Sequence, residues 1–233
     1  MSCDEAIVLV GGLGTRLRPL VSDVPKPLAS VAGRPFLAWL LGRLGDQGIC
    51  RVILAAGYLA GKVQQAFGDE WQGLSIAYSI EDEPLGTGGA IAQALKLRSG
   101  DAMHVLNGDT FLAYRPQALE AATCASGRAI GMALAHVPDV ARYGAVVLDE
   151  GRVSAFLEKG EHGPGHINAG SYFLRADAIA RFPQSGSFSF EQTVLSERVA
   201  ADDVFGFTQT DGFIDIGVPD DYLKAQTFIA GFA

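Results

Sequence analysis

Three sets of residues in this chain have the types and spacing to act on phosphate. The first is Gly11-Gly12-Leu13-Gly14-Thr15-Arg16, three glycines among four positions with an arginine close behind. Such a backbone can turn sharply and lie against a ligand. Successive exposed amides in a turn form an anion-binding nest, and Arg16 adds a planar fork of donors suited to phosphate. The second is Lys26, held between Pro25 and Pro27, so that its backbone is stiff and its side chain is aimed. The third is a pair of carboxylates. Asp109 ends Leu106-Asn107-Gly108-Asp109, where an aspartate is ordinarily only a turn former or helix cap. Asp215 stands among apolar neighbours in Phe213-Ile214-Asp215-Ile216-Gly217, and a charge in that setting must be paired or bound to a cation. Two such carboxylates can hold one Mg²⁺, a hard ion that takes oxygen ligands. The glycine run is neither a P-loop, since no Gly-Lys-Ser/Thr closes it, nor a clean dinucleotide fingerprint.

Regular elements must carry these groups. Ala6 to Val10 is a short apolar run that reads as a buried strand feeding the glycine turn. From Pro35 to Gly48, Phe36, Leu37, Leu40, Leu41 and Leu44 recur at three- and four-residue spacing, which predicts an amphipathic helix. Arg51–Ala56, Leu74–Ile80 and Ala102–Leu106 read as further strands. Ala60–Phe67 and Ala90–Leu97 read as helices, and Glu81–Gly89 as a loop. Strand and helix alternating in this way predict a parallel sheet covered on both faces, with ligands outside the carboxyl ends of its strands. The second half changes character. Ala129–Val137, Ala145–Leu148, Val153–Leu157, Ile167–Leu174 and Val204–Gln209 read as strands of a mixed sheet with a hairpin at Asp149-Glu150-Gly151. Helices are expected near Ala176–Phe182, Phe190–Ala200 and Pro219–Ala230. No linker separates the halves, so the expectation is one domain, 1–233, with a nucleotide-binding half (1–125) and a sugar-phosphate half (126–233).

Composition excludes several classes. Of 233 residues, 48% are hydrophobic and 19% charged, which suits a packed α/β globule and not a disordered chain. A net charge of −8 disfavours a nucleic-acid partner, while a local cluster of cations can still hold a small anion. Cys3, Cys50 and Cys124 lack metal-ligand spacing and fit a reducing cytoplasm better than a disulfide framework. Asp4 and Glu5 replace the basic start of a signal peptide, and no apolar run reaches the length of a membrane span.

Taken together, Gly-Gly-Leu-Gly-Thr-Arg-Leu-Arg-Pro, Pro-Lys-Pro-Leu, the Asp109 turn and Phe-Ile-Asp-Ile-Gly resemble the motifs of the sugar-1-phosphate nucleotidylyltransferases, in that family's order. The family's usual alanine before the glycines is Val10 here. The resemblance implies a Rossmann-like three-layer α/β/α fold with a mixed, mainly parallel central sheet, the nucleotide-diphospho-sugar transferase (GT-A-like) fold. It implies a nucleoside triphosphate and a sugar 1-phosphate as partners. Asp109 and Asp215 would be the Mg²⁺ ligands, and Arg16, Lys26, Asp109 and Asp215 the catalytic set. The nucleotide would be held by Leu9, Gly11, Gly12, Gly14, Thr15 and Arg16, with Glu83, Gly86, Thr87, Asn107 and Gly108. On the sugar-phosphate side, Phe156-Leu157-Glu158-Lys159 and Asn168-Ala169-Gly170 resemble the family's sugar elements. There Glu158 would take sugar hydroxyls, Lys159 the phosphate and Asn168 a hydroxyl. Gly170 would admit the ring, and Gly144 would give a backbone contact. Attack by a phosphate already anionic needs no protein base, so His104, His136, His162 and His166 read as structural or solvent-facing.

The loop Glu83-Pro84-Leu85-Gly86-Thr87-Gly88-Gly89 resembles the family's base-and-ribose loop. A carboxylate only accepts hydrogen bonds, and guanine offers N1–H and N2–H side by side, so Glu83 favours GTP. Alternatively, Glu83 faces solvent, and Glu81 or backbone reads the base. The chain's short form looks most like the D-glycero-α-D-manno-heptose 1-phosphate guanylyltransferases, whose GDP-heptose is a donor for surface polysaccharide. Rival readings are a uridylyltransferase acting on N-acetylmuramate or hexose 1-phosphate, a mannose-1-phosphate guanylyltransferase, or a non-catalytic nucleotide-sugar sensor. Oligomeric state is left open.

Overall fold

The computed structural model describes residues 2–12, 17 and 24–232. Its spine is a ten-stranded sheet, with the strands named here in chain order. β1 (Glu5–Leu9), β4 (Arg51–Ala56), β6 (Leu74–Ile80) and β7 (Met103–Asn107) pair in parallel as β7-β1-β4-β6. β5 (Glu70–Trp71) closes that edge antiparallel to β6. On the other side of β7 the sheet turns mixed. β12 (Gly165–Leu174) runs antiparallel to both β7 and β9 (Ile130–Val137). β13 (Val204–Phe207) is parallel to β9, and the hairpin of β10 (Val146–Asp149) and β11 (Arg152–Phe156) forms the far edge. Two small ribbons stand apart: β2 (Ser30–Val31) with β3 (Arg34–Pro35), and β8 (Thr110–Ala113) with β14 (Asp211–Asp215).

Alternation along β1 divides the core. Ala6 and Val8 face α1 (Phe36–Asp46) and α2 (Ala60–Phe67), packing with Phe36, Leu37 and Leu41. Ile7 points the other way, toward Ala90, Ile91 and Ala94 of α3 (Gly86–Ala94). Layers on both sides of one sheet follow from that period of two. The remaining helices are α4 (Pro116–Ser126), α5 (Ala176–Ala180), α6 (Ser196–Ala200) and α7 (Pro219–Phe228).

Three expectations need correction. The loop expected over 81–89 is shorter, because α3 begins at Gly86 and ends at Ala94, with a 3₁₀ turn over Leu95–Leu97. Phe190–Ala200 is not one α-helix but a π-helical turn, Phe190–Leu195, followed by α6. α4 has no counterpart in the sequence reading. Its alanine-rich stretch has a weak apolar stripe, with Leu119 and Thr123 among its few buried residues, so periodicity gave little signal.

Candidate active site

The parallel strands end together, and the turns that follow them surround a cleft of about 610 Å³. Leu9 at the end of β1 with Gly11 and Gly12 beyond it, Glu83, Gly86 and Thr87 after β6, and Asn107 at the end of β7 all line it. Gly108 lies buried just behind, its N–H donating to the Leu9 carbonyl (2.8 Å), which ties the Asn107–Asp109 turn to the end of β1. Gly14, Thr15 and Arg16 lie outside the described residues.

At one end of this cleft stand Lys26 and Asp109. The lysine Nζ lies 2.5 Å from Asp109 Oδ2 and 3.8 Å from Asp215 Oδ1. Strand pairing explains how acids so distant in sequence meet. β8 and β14 are antiparallel, Asp215 is opposite Thr110, and the Ile216 N–H donates to the Asp109 carbonyl (3.0 Å). The Lys26 side chain is only 12% exposed, rising from a 3₁₀ turn (Lys26–Leu28) that the flanking prolines shape. Burial, then the neighbouring Asp109 charge, push the Asp215 carboxyl above its usual range; Lys26, the Gly217 N–H and Arg142 partly offset this.

Gly217 completes the cluster. Its N–H donates to Asp215 Oδ1 (2.6 Å), and a Cβ there would lie 2.7 Å from that oxygen and 3.1 Å from Lys26 Nζ. Among the described residues there is no group of three or more His, Cys, Asp or Glu able to hold a metal ion. A cation here would rest on Asp109 and Asp215 alone, with the rest of its shell from ligand oxygens and water. That donor set suits Mg²⁺, which commonly takes one or two carboxylates plus substrate phosphates.

The glycine-rich loop has a second task that the sequence reading missed. A Cβ on Gly86 would lie 2.6 Å from the Phe188 carbonyl oxygen. Cβ atoms on Gly88 and Gly89 would collide with the Phe188 ring and the Gly186 carbonyl. These glycines let the segment around Phe188 pack directly on the start of α3. The Thr87 hydroxyl is committed to the same contact: it donates to Glu191 Oε2 (2.8 Å) and accepts from the Phe190 N–H (2.9 Å). Glu83 and Glu81 both line the cleft; Glu83 is exposed, whereas Glu81 is partly buried and accepts the Leu85 N–H (2.9 Å).

The predicted sugar-side residues do not line that cleft. Gly144 packs under the end of β11, against the Leu157 carbonyl, and Glu158 and Lys159 beside it are exposed. Neither has an ion pair or side-chain hydrogen bond among the described residues. Asn168 sits at a bulge in β12, where pairing with β9 shifts register. Its amide is already used, Nδ2 donating to the Tyr172 hydroxyl (2.8 Å) and Oδ1 accepting the Gly170 N–H (3.0 Å). One N–H and one lone pair remain for a ligand. Gly170 abuts the Asn107 side chain, which fills the space a Cβ would need. That contact and a φ of +70° both require glycine here, and the contact joins the sugar-side bulge to the cleft. The histidines stand aside: His104 is buried, His136 and His166 pack ring on ring, and His162 pairs with Asp139.

Residues 5–231 match the Nucleotidyl transferase family. The chain belongs to that family. It is 42% identical to D-glycero-alpha-D-manno-heptose 1-phosphate guanylyltransferase of Aneurinibacillus thermoaerophilus, over 95% of this chain and 96% of the relative. It is 43% identical to the enzyme of the same name from Campylobacter jejuni, over 94% and 96%. The crystal structure of HddC from Yersinia pseudotuberculosis complexed with GMP-PN superposes with a TM-score of 0.82 at 35% identity, covering 100% of both chains.

Two further residues of this nucleotidyltransferase escaped the sequence reading. Tyr58, half exposed after β4, lines the cleft beside Gly57. Arg142 stacks over Tyr143 (4.5 Å), pairs with Asp221 of α7 and contributes to the field at Asp215. Arg142 lies two residues before Gly144, and only the fold brings it near Asp215.

Proposed function

We propose that this nucleotidyltransferase condenses GTP with D-glycero-α-D-manno-heptose 1-phosphate, giving GDP-heptose and pyrophosphate. The observation that carries the chemistry is the meeting of Asp109 and Asp215 on Lys26 at the end of the cleft. An oxygen of the sugar phosphate attacks the α-phosphorus, the bond to the β-phosphate oxygen breaks, and pyrophosphate leaves. Such transfer requires alignment and charge neutralisation more than a protein nucleophile. Gly11, Gly12, Gly14, Thr15 and Arg16 hold the triphosphate tail, and Lys26 donates to the α-phosphate. Asp109 and Asp215 would hold Mg²⁺, which when bound would neutralise phosphate oxygens. Glu83 accepts from the base, while Glu158, Lys159 and Asn168 take the sugar phosphate. On this reading 1–125 serves the nucleotide and 126–233 the sugar phosphate, with Asp215 crossing over to complete the first.

Support for the substrates comes from the two heptose 1-phosphate guanylyltransferases, matched nearly end to end, and from a solved relative complexed with GMP-PN. Free Cys3, Cys50 and Cys124 fit a reducing cytoplasm, where a GDP-heptose destined for surface polysaccharide would be made. The test is pyrophosphate release across a matrix of nucleoside triphosphates and sugar 1-phosphates. The highest kcat/KM is expected for GTP with the heptose phosphate; a higher value for UTP or dTTP with a hexose phosphate refutes the assignment.

A further inference from the structure

Behind the cleft, two segments far apart in sequence are strapped together. The Leu85 carbonyl accepts the Phe188 N–H (2.9 Å), and the Phe188 carbonyl accepts the Gly88 N–H (2.9 Å). Glu191 Oε2 accepts from both the Thr87 hydroxyl (2.8 Å) and the Ser189 hydroxyl (3.0 Å). Glu191 lies in the first turn of the π-helical segment Phe190–Leu195, an irregularity that proteins often keep at functional sites. On its other side this turn meets Tyr172 of β12. The Phe190 and Tyr172 rings pack edge to face at 5.0 Å, and the Glu191 charge acts on the Tyr172 phenol. That phenol accepts the Asn168 amide N–H (2.8 Å). A continuous run of contacts therefore leads from Thr87, at the cleft, through Glu191, Phe190 and Tyr172 to Asn168.

We propose that Glu191 and Tyr172 are positioning residues that make the base loop and the sugar-side amide one unit, so that filling either site orders the other. The inference rests on the reading above, in which Thr87 belongs to the nucleotide and Asn168 to the sugar phosphate. Neither Glu191 nor Tyr172 touches substrate. Each fixes a residue that does, and the two are in contact through Phe190. Burial, then the Glu191 charge, hold the Tyr172 phenol well above its usual range, so it stays neutral throughout the working pH range; the Asn168 N–H it accepts opposes that shift only in part.

The test is steady-state kinetics in both substrates, GTP and heptose 1-phosphate, with thermal melts of each variant. Glu191→Ala should raise KM for both substrates by roughly 3- to 10-fold, the scale of one or two lost hydrogen bonds. Glu191→Gln, whose amide oxygen still accepts two bonds, should return both to within about twofold of wild type. Tyr172→Phe should raise KM for the sugar phosphate by roughly 3- to 10-fold, and KM for GTP by less. The double variant should cost less than the product of the single effects. The idea is overturned if Glu191→Ala alters only GTP, Tyr172→Phe alters only the sugar phosphate, and their effects multiply. Should Glu191→Ala melt below the assay temperature, Thr87→Val severs the same link, and there only KM for the sugar phosphate is read, since Thr87 itself belongs to the nucleotide: a rise supports the idea and no change overturns it. A wild type that does not use GTP and heptose 1-phosphate brings down the proposed function and this inference together. A wild type that does, with variants that multiply, brings down only this one.

Discussion

The proposed site contains two lysine–carboxylate groupings, one around Lys26 and one at Glu158-Lys159, and they are built in opposite ways. Lys26 is nearly enclosed, 2.5 Å from Asp109 and within reach of Asp215, with Gly217 leaving no spare volume. Glu158 and Lys159 are adjacent in sequence, exposed and without side-chain partners among the described residues. The first grouping is already assembled before any ligand arrives, so binding starts from charges held close to where the reaction needs them. The second keeps its side-chain freedom and must lose it on binding. A site that transfers a nucleotidyl group can tolerate adjustable contacts to a sugar, but not an adjustable centre of charge at the α-phosphate.

The sharpest way to break this contrast is Asp109→Asn, which keeps the size and removes the charge. Pyrophosphate release should fall by about 10³-fold or more, the scale for removing one preorganised electrostatic contact in a dry site. The fold should persist, since the strand pairing around it uses backbone. A variant keeping a tenth of wild-type activity would contradict the assignment. Gly217→Ala comes next. Its new Cβ would press on Asp215 Oδ1 and Lys26 Nζ, displacing both by a fraction of an ångström or more. We expect kcat to drop by roughly 10- to 100-fold, with smaller changes in either KM. Lys159→Ala should act on the other grouping only. KM for the sugar phosphate should rise about tenfold, as for loss of a charge-assisted hydrogen bond, with KM for GTP unchanged. Its melting temperature should not move, because the side chain holds nothing in the free protein. A matching rise in KM for GTP would show that the two groupings are not separate.

The same contrast governs what the sequence made legible. Strands β4 and β6 and helix α2 were readable to the residue, because apolar runs bounded by glycine and polar turns leave little choice. Lys26 and Asp215 stand out in the sequence as charges in stiff or apolar settings, whereas Asp109, in a turn, gains weight only beside Asp215 and through the family resemblance. Gly217 was quoted only as part of a motif, since its role depends on where Asp215 and Lys26 end up. Gly86 reads from the sequence as a nucleotide contact and Gly88 and Gly89 as part of the same loop, while the packing of Phe188 and Gly186, about a hundred residues away, leaves no room for a Cβ at any of the three. Spacing along a chain reports local geometry. It carries no trace of which distant backbone will lie against a turn, and for that reason the strap over α3 and the position of Arg142 stayed hidden.

The smallest effect concerns stability. The carboxyl of Asp215 sits above its usual range in the folded protein, from burial first and the Asp109 charge second. In the window between the ordinary carboxylate pKa and that raised value, the folded state binds more protons than the unfolded one. Stability therefore falls as pH rises through the window, and at neutral pH the ionised side chain is a net cost to the fold. Asp215→Asn removes that cost without stranding Lys26, which keeps Asp109. The variant should melt a few degrees above wild type at pH 7, on a scale of about 2–4 °C per kcal/mol for a chain of this size. The gap should close as pH drops below the ordinary carboxylate range, where wild-type Asp215 is neutral in both states. Saturating Mg²⁺ should narrow it from the other side, because a cation shared by Asp109 and Asp215 relieves the repulsion in wild type and loses a ligand in the variant. An Asn variant that melts below wild type at pH 7 without Mg²⁺ would mean that Lys26 more than compensates the buried charge. The cluster would then be a structural ion pair before it is a metal site.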